Sequence, residues 1–211
     1  MKDIQRNTIL DLTKPLDPSF RPFSSGKYSD PPLEMADWSA IAQEGFRVSR
    51  LSMGTQSGTH LDAPAHFLEG GATLESLLPD QLIGSYFLLD LSPHPESTPI
   101  KKRLEAYRQE NILFLRTPAN LTSQLSRNDL QTILSLPPVL LILSGDIGIE
   151  SHGPYTFHRL AAQAGKFVAE DLDQQAARFV PAYGEIFALP LRLTGVSGSP
   201  CRVIVRYPAV T

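Results

Sequence analysis

Gln56-Ser57-Gly58-Thr59-His60-Leu61-Asp62-Ala63-Pro64-Ala65-His66-Phe67 is the densest group of metal-capable side chains in the sequence. In an extended stretch, residues two apart point to one face, so Gln56, Gly58, His60 and Asp62 share a face while Thr59 and Leu61 point away. An imidazole and a carboxylate then project side by side. Such an edge suits Zn²⁺ or Mn²⁺, which take nitrogen and oxygen ligands at about 2.0 to 2.2 Å. Pro64 ends the ladder and turns the chain, so His66 swings towards the same centre from another direction. Gly58 has no side chain, which lets a metal, water or substrate approach the backbone. His60, Asp62 and His66 would be costly to bury unpaired in so apolar a stretch, and a shared metal satisfies them together. The spacing predicts a metal or catalytic site here rather than a solvated loop.

The flanking sequence supplies the frame. Ile9, Leu10 and Leu12 read as a short strand that ends at Pro15. Residues Pro15 to Pro32 are dense in Pro, Ser, Gly and aromatic residues and read as a long irregular segment: a functional lid, a plain surface loop or a dimer-contact arm. Phe46, Val48, Leu51 and Met53 give a second strand pattern leading into the metal-capable stretch. Further apolar runs at Leu82 to Leu91, Ile112 to Leu115, Val139 to Leu143, Tyr183 to Leu191 and Val203 to Val205 are short and bounded by Gly or Pro. They read as strands of one mixed sheet. Ser126 with Asp129 forms a capping-box pattern ahead of Leu130, Ile133 and Leu134. Thr156 to Ala164 is a helix that stops at Gly165, and Lys101 to Gln109 is a third, mostly polar, helix. Strands and helices alternate with no composition break and no repeat, so residues 1–211 read as one α/β domain.

Composition removes several function classes. With 211 residues and 42% hydrophobic content, one compact domain burying roughly 70% of its unfolded surface is expected. The net charge is −3 and the densest basic run is Lys101-Lys102-Arg103, which leaves no footprint for nucleic acid or an anionic membrane. The longest apolar stretch, Val139 to Leu143, is far short of a membrane span, and the opening MKDIQRNTILDLT lacks the apolar core of a signal peptide. A soluble cytoplasmic protein is the expectation. The single Cys201 excludes an internal disulfide and a thiolate metal site, so any metal must be held by His and carboxylates. At the entry to an apolar strand, Cys201 reads as a small buried residue rather than a nucleophile.

A second cluster lies further on: Asp146, Glu150, Ser151, His152, His158 and Glu170. His158 falls on the predicted helix and Glu170 closes the strand after the Gly165 turn, so a helix–strand hairpin can bring both to one end of the sheet. By itself this pattern also fits a surface carboxylate and an unpaired helix-face histidine. His94, between Pro93 and Pro95, and His152 receive no role.

At this point the residues match a family. QSGTHLDAPAHF resembles the HxGTHxDxPxH signature of the cyclase-like metal-dependent hydrolases, the family of bacterial kynurenine formamidase (arylformamidase) and isatin hydrolase. ILDLTKPL, GIGIESHGPYTFHRLAAQAGKFVAEDL and ALPLRLTGVSGSPCRVIV resemble the family's other blocks, so the likeness covers most of the chain. The resemblance implies a swivelling β/β/α fold assembled as a homodimer or homotetramer, with residues of a neighbouring subunit near the pocket. It implies His60, Asp62, His158 and Glu170 as metal ligands for one or two ions, Zn or Mn, and His66 as the catalytic histidine. Gln56 stands where the family has the first His of its signature. A neutral amide oxygen is a weaker ligand than imidazole for Zn²⁺, so one ion is held tightly and a second poorly, or a harder ion such as Mn²⁺ is preferred. Glu150 stands where family members commonly carry Asp.

The activity implied is metal-dependent hydrolysis of an aryl formamide: N-formylkynurenine and water to kynurenine and formate, in tryptophan catabolism. Thr59 and Ser151 are read either as groups that orient the ligands or, equally, as turn residues. Phe20, Phe23, Tyr28 and Trp38 are read as apolar walls for a small aromatic amide, with core or subunit contact as the competing role. Two other readings stay open: a family hydrolase acting on a cyclic amide or lactone such as isatin, and a non-catalytic binding protein with a degraded metal site.

Overall fold

The structure is a computed structural model that describes residues 7–92 and 98–209, so His94 lies outside the described residues. Strand β1 (Asn7–Asp11) is followed by two hairpins, β2 (Ser24–Ser25) with β3 (Tyr28–Ser29), and β4 (Glu34–Ser39) with β5 (Val48–Ser52). The second hairpin encloses a helical turn, α1 (Ile41–Glu44). Next come β6 (His60–Asp62), β7 (Ile83–Asp90), α2 (Ile100–Arg103), β8 (Ile112–Arg116), β9 (Ser123–Leu125), α3 (Arg127–Leu134) and β10 (Leu140–Leu143). The chain ends with β11 (Ile147–Ile149), α4 (Thr156–Gln163), β12 (Phe167–Glu170), α5 (Gln174–Ala177), β13 (Glu185–Pro190) and β14 (Gly198–Pro208).

Eight strands form one mixed sheet in the order β1-β14-β13-β7-β8-β10-β12-β6. Its centre, β7-β8-β10-β12, is parallel, and the remaining pairings are antiparallel. Strand β14 is long enough to hold β1 along its C-terminal half and β6 along its start, where Gly198, Ser199 and Pro200 face Asp62, Leu61 and His60. Because β6 also pairs with β12, the sheet closes on itself. The mixed α/β architecture expected from the sequence is present. The closure is additional, and no local pattern announces it.

Strand alternation sorts the core into two layers. Ile112, Phe114, Leu140, Ile142, Phe167, Ala169 and Leu61 point into the barrel and pack together. Leu113, Leu115, Leu141, Leu143 and Val168 point outward, where α3 and α4 cover them with Leu130, Ile133, Phe157 and Ala161. The Ser126 hydroxyl caps α3 by accepting the Asp129 N–H at 3.1 Å, as the capping-box pattern predicts. Gly165 follows α4 at φ 70°, the left-handed backbone that glycine adopts without strain.

Several local expectations are corrected. The helix expected over Lys101 to Gln109 is limited to α2 and a 3₁₀ turn at Leu104–Ala106, and Gln109 sits at φ 69°, which no helix continues. The extended stretch expected from Gln56 begins only at His60. Residues before it form a turn in which Gly58 has φ 64°, so Gln56 and Gly58 do not belong to the face that carries His60 and Asp62. Strands β4, β9 and β11 carry no clear alternation and were not anticipated.

Ile142 is fully buried at the middle of the parallel sheet. Ile142→Ala is expected to lower stability by about 2 to 5 kcal/mol through the cavity it leaves, read as the shift in urea unfolding midpoint at unchanged slope.

Candidate metal centre

The antiparallel register of β6 and β12 sets His60 directly opposite Glu170 and Asp62 opposite Val168. Leu61 fills the barrel interior, so His60 and Asp62 lie on the outer face, beneath the helix that carries His158. His60 Nε2 is 3.5 Å from Asp62 Oδ1 and 3.6 Å from Glu170 Oε1. His158 Nε2 is 2.8 Å from Glu170 Oε2. One ligand atom from each of His60, Asp62 and Glu170 lies within 4.8 Å of the others. His158 and Glu170 meet as a helix–strand hairpin allows, and His60 and Asp62, far away in sequence, lie beside them.

The ligands are oriented from behind. His60 Nδ1 is 2.7 Å from the Gly58 carbonyl oxygen; donating there leaves Nε2 free to face the carboxylates. That is the use of the Gly58 turn, whose φ of 64° swings the carbonyl under the ring. Thr59, pointing the other way, accepts the Lys14 N–H at 2.9 Å and donates to the Asp171 carbonyl at 2.8 Å. It fastens the loop after β1 to the residue that follows Glu170.

Electrostatics test whether these residues suit a divalent cation. Both Asp62 carboxylate oxygens are buried without a hydrogen-bond partner, as is His158 Nδ1. An ionised carboxylate left so costs several kcal/mol unless a positive charge reaches it. Burial opposes a charged His60, but the neighbouring Asp62 and Glu170 carboxylates outweigh it and hold its pKa well above the ordinary imidazole value. His158 is raised in the same way, burial being outweighed by Glu170. Glu170 is the counterpart: burial would raise it, but His158 and His60 hold it far below the usual carboxylate range. His60, Asp62 and Glu170 converging within 4.8 Å, with His158 on Glu170 and both Asp62 oxygens unpartnered, form a nitrogen and oxygen donor set that fits a divalent metal.

His60, His158 and Glu170 form one side of a cavity of about 580 Å³ at the carboxyl ends of β10 and β12, with Asp62 buried behind them. His66 also lines it, exposed on the 3₁₀ turn Pro64–His66 that Pro64 opens. Phe20, Phe23 and Tyr28 line it from the Pro-rich segment, as expected for apolar walls. Gln56 lines it too, from the turn. Its Oε1 accepts the Thr55 hydroxyl at 2.6 Å and its Nε2 donates to Ser197 Oγ at 3.2 Å. Two expected site residues are placed elsewhere. Trp38 is 72% exposed on the β4–β5 hairpin and does not line the cavity. Ser151 sits exposed in the turn before α4, with φ 59° and no contact with the ligands. Cys201 is buried, and burial with the nearby Asp62 charge pushes its thiol up to about 12, which removes it as a nucleophile.

Sequence reading missed Phe67 and Tyr155. Phe67 stacks on the His158 ring at 4.9 Å and meets the His66 ring edge-on at 4.5 Å, so it spaces the two histidines. Tyr155 packs near Phe67 and Phe23 from a left-handed conformation, φ 61°. A non-glycine residue strained in this way at a cavity is a signal that only the backbone shows.

Residues 10–133 match the family described as "Putative cyclase". The kynurenine formamidase of Bacillus cereus is 30% identical over 211 residues, covering 93% of this chain and 96% of that protein. Isatin hydrolase A from Labrenzia aggregata, solved with benzyl benzoate, superposes with a TM-score of 0.78 at 20% identity, over 96% of this chain and 94% of its own. A structure from Bacillus stearothermophilus described as a predicted metal-dependent hydrolase gives 0.67 at 22% identity, over 95% and 98%. At those identities the two structures establish a shared fold.

Gly58→Ala tests the turn beneath His60. A Cβ there would lie 2.7 Å from Leu16 Cδ2, and φ is positive, so a loss of about 1 to 3 kcal/mol is expected in chemical unfolding. Protonation tests the ion pairs in chelator-treated protein. The lowered Glu170 pKa contributes stability above its ordinary value of 4.5 that is lost as pH falls. The raised His60 and His158 values contribute stability below 6.5 that is lost as pH rises through their folded values. The stability gap between wild type and Glu170→Gln is therefore expected to be widest between pH 4.5 and 6.5 and to narrow on both sides, measured by urea unfolding across pH.

Proposed function

The chain belongs to the cyclase family of hydrolases, and on that premise we propose that its reaction is the hydrolysis of an aryl formamide to formate and an aryl amine, with N-formylkynurenine as substrate. That would make it a cytoplasmic step of tryptophan catabolism. The observation that carries the reading is the buried, unpartnered Asp62 carboxylate, ringed by His60, Glu170 and His158 beside an aromatic-lined cavity.

His60, Asp62, His158 and Glu170 would hold one divalent ion, Zn or Mn, and Gln56 would support a second only weakly. Such an ion, when bound, activates water near neutral pH and polarises a carbonyl oxygen. The protein's own groups do the rest. His66 faces the cavity without a ligand role, and an imidazole both accepts and donates a proton through its ring nitrogens, so it delivers the proton to the departing aryl nitrogen. The Gly58 carbonyl fixes the His60 tautomer, and Phe67 holds the His158 and His66 rings apart. Phe20, Phe23 and Tyr155 flank the aryl ring and exclude water around the reacting carbonyl.

We also assign the β4–β5 hairpin to contact with a second copy of the chain. Met35, Trp38, Ile41, Phe46 and Leu51 are all at least half exposed on it. No residue from Glu34 to Ser52 is buried, and an isolated two-stranded hairpin is marginal in water without a surface to pack on. This moves Trp38 from a wall of its own cavity to the homo-oligomer contact.

The direct test is metal content of the purified protein together with hydrolysis of N-formylkynurenine and isatin, with and without a chelator. Near-stoichiometric Zn or Mn and chelator-sensitive formamide hydrolysis are expected. His66→Ala is expected to lower kcat by about 10² to 10⁴-fold with metal content retained. Activity that persists both in metal-free protein and in His66→Ala would overturn the mechanism. Gln56→His is expected to raise metal occupancy by supplying a stronger ligand. For the assembly, the double variant Trp38→Asp, Leu51→Asp is expected to sediment as a smaller species than wild type.

A further inference from the structure

The cavity carries one charge that the reaction above does not use. Among its described lining residues Arg21 is the sole cation apart from histidines, while Asp30, Asp146, Glu170 and Asp171 are its carboxylates. Glu170 is committed to His158 and His60, and Asp171 pairs with Lys14. Arg21 makes no ion pair among the described residues. One of its terminal nitrogens, Nη1, donates to the Ser19 and Phe20 carbonyl oxygens at 2.9 and 3.1 Å, which folds the guanidinium back on its own loop. Nη2 and Nε have no hydrogen-bond partner among the described residues.

The loop holding Arg21 is braced. The Ser19 N–H donates to Asp17 Oδ1 at 2.7 Å, and the Phe20 N–H donates to the Asp17 carbonyl at 2.9 Å. Just beyond it, the β2–β3 hairpin is extended by the Asp30 N–H donating to the Phe23 carbonyl at 2.9 Å. Phe20 and Phe23, which flank Arg21 in the sequence, line the same cavity as the guanidinium, so one wall offers both aryl surfaces and a cation. The carboxylates of Asp30, which accepts the Tyr28 hydroxyl at 2.6 Å, and of Asp146 repel an anion from the rest of the lining and leave Arg21 as the place for one.

We propose that Arg21 is a specificity-determining residue that pairs with a carboxylate on the substrate, so that the site prefers aryl amides carrying a carboxylate side group over neutral ones. An arginine fork with two unpartnered nitrogens suits a carboxylate in a two-point hydrogen-bonded pair. The proposal rests on the aryl-formamide reading and names the class of amide within it: N-formylkynurenine carries such a carboxylate and isatin does not.

Two measurements test it. The first compares N-formylkynurenine with 2-formamidoacetophenone, the same aryl ketone without the amino-acid group. Arg21→Gln is expected to lower the preference for the carboxylate substrate, as a ratio of kcat/KM values, by about tenfold, through KM rather than kcat, with Arg21→Lys recovering part of it. An unaltered ratio in Arg21→Gln would overturn the proposal. The second needs no turnover: equilibrium dialysis of kynurenine and 2-aminoacetophenone against wild type and Arg21→Gln. Kynurenine is expected to bind wild type more tightly, and Arg21→Gln is expected to remove that advantage. No advantage in wild type, or an equal advantage in the variant, would overturn it. Wild type that binds kynurenine through Arg21 yet hydrolyses neither formamide would refute the proposed reaction and leave the carboxylate subsite standing.

Discussion

Strand β6 is three residues long, yet it is hydrogen-bonded on both sides, to β12 and to the start of β14. That double pairing closes the barrel and sets the orientation of everything in the site. A strand held at one edge could slip by a residue, which would turn every side chain to the opposite face. Held at two edges, with Leu61 fully buried in the interior, β6 has one register. His60 and Asp62 must then face outward, and the antiparallel pairing with β12 must set Glu170 against His60. The metal-capable cluster is therefore a consequence of barrel closure rather than of a flexible loop. Its fourth member, His158, arrives on a helix whose position is fixed by Phe157 and Ala161 packing on the outer face of the sheet.

This arrangement concentrates charge where water is scarce. Unpaired, Asp62 would be destabilising, and the imidazoles of His60 and His158 are pulled towards protonation by the carboxylates around them. A metal-free site thus holds protons in place of a cation, and any ion that binds must displace them. Rigid strand pairing makes that exchange productive. The ligands cannot relax outward to rehydrate, so the negative field at Asp62 persists until a cation meets it.

Much of this was readable from the sequence because it depends on local periodicity and short spacing. His60-x-Asp62 sharing a face needs only the two-residue repeat of a strand, and the α3 cap needs only Ser126 and Asp129 three apart. His158 and Glu170 could be joined because a helix, a glycine turn and a parallel strand are consecutive. What was not readable depends on contacts distant in sequence or on backbone conformation. Gln56 and Gly58 were assigned to the strand because alternation cannot register a left-handed turn. Trp38 was placed at the pocket by composition, whereas an exposed hairpin carries it away. Phe67 and Tyr155 gave no signal, since an aromatic residue in a loop reads the same whether it packs on an imidazole or on nothing.

Gln56 shows how second-sphere packing bears on metal number. Its amide lies in a gap that exists because residue 198 is glycine: a Cβ at Gly198 would stand 2.5 Å from Gln56 Nε2 and 3.1 Å from Asp62 Oδ1. In that gap both ends of the amide are occupied, the oxygen by Thr55 and the nitrogen by Ser197. To act as a ligand the oxygen must give up the Thr55 hydroxyl, exchanging one hydrogen bond for a bond to a cation that amide oxygen binds less strongly than imidazole does. Asp62 needs no such exchange, because both of its carboxylate oxygens are buried without a hydrogen-bond partner. A first ion would thus meet an unpartnered carboxylate at Asp62, whereas a second would have to break the bonds of the Gln56 amide, which leaves Gln56 as part of the wall beside the cluster.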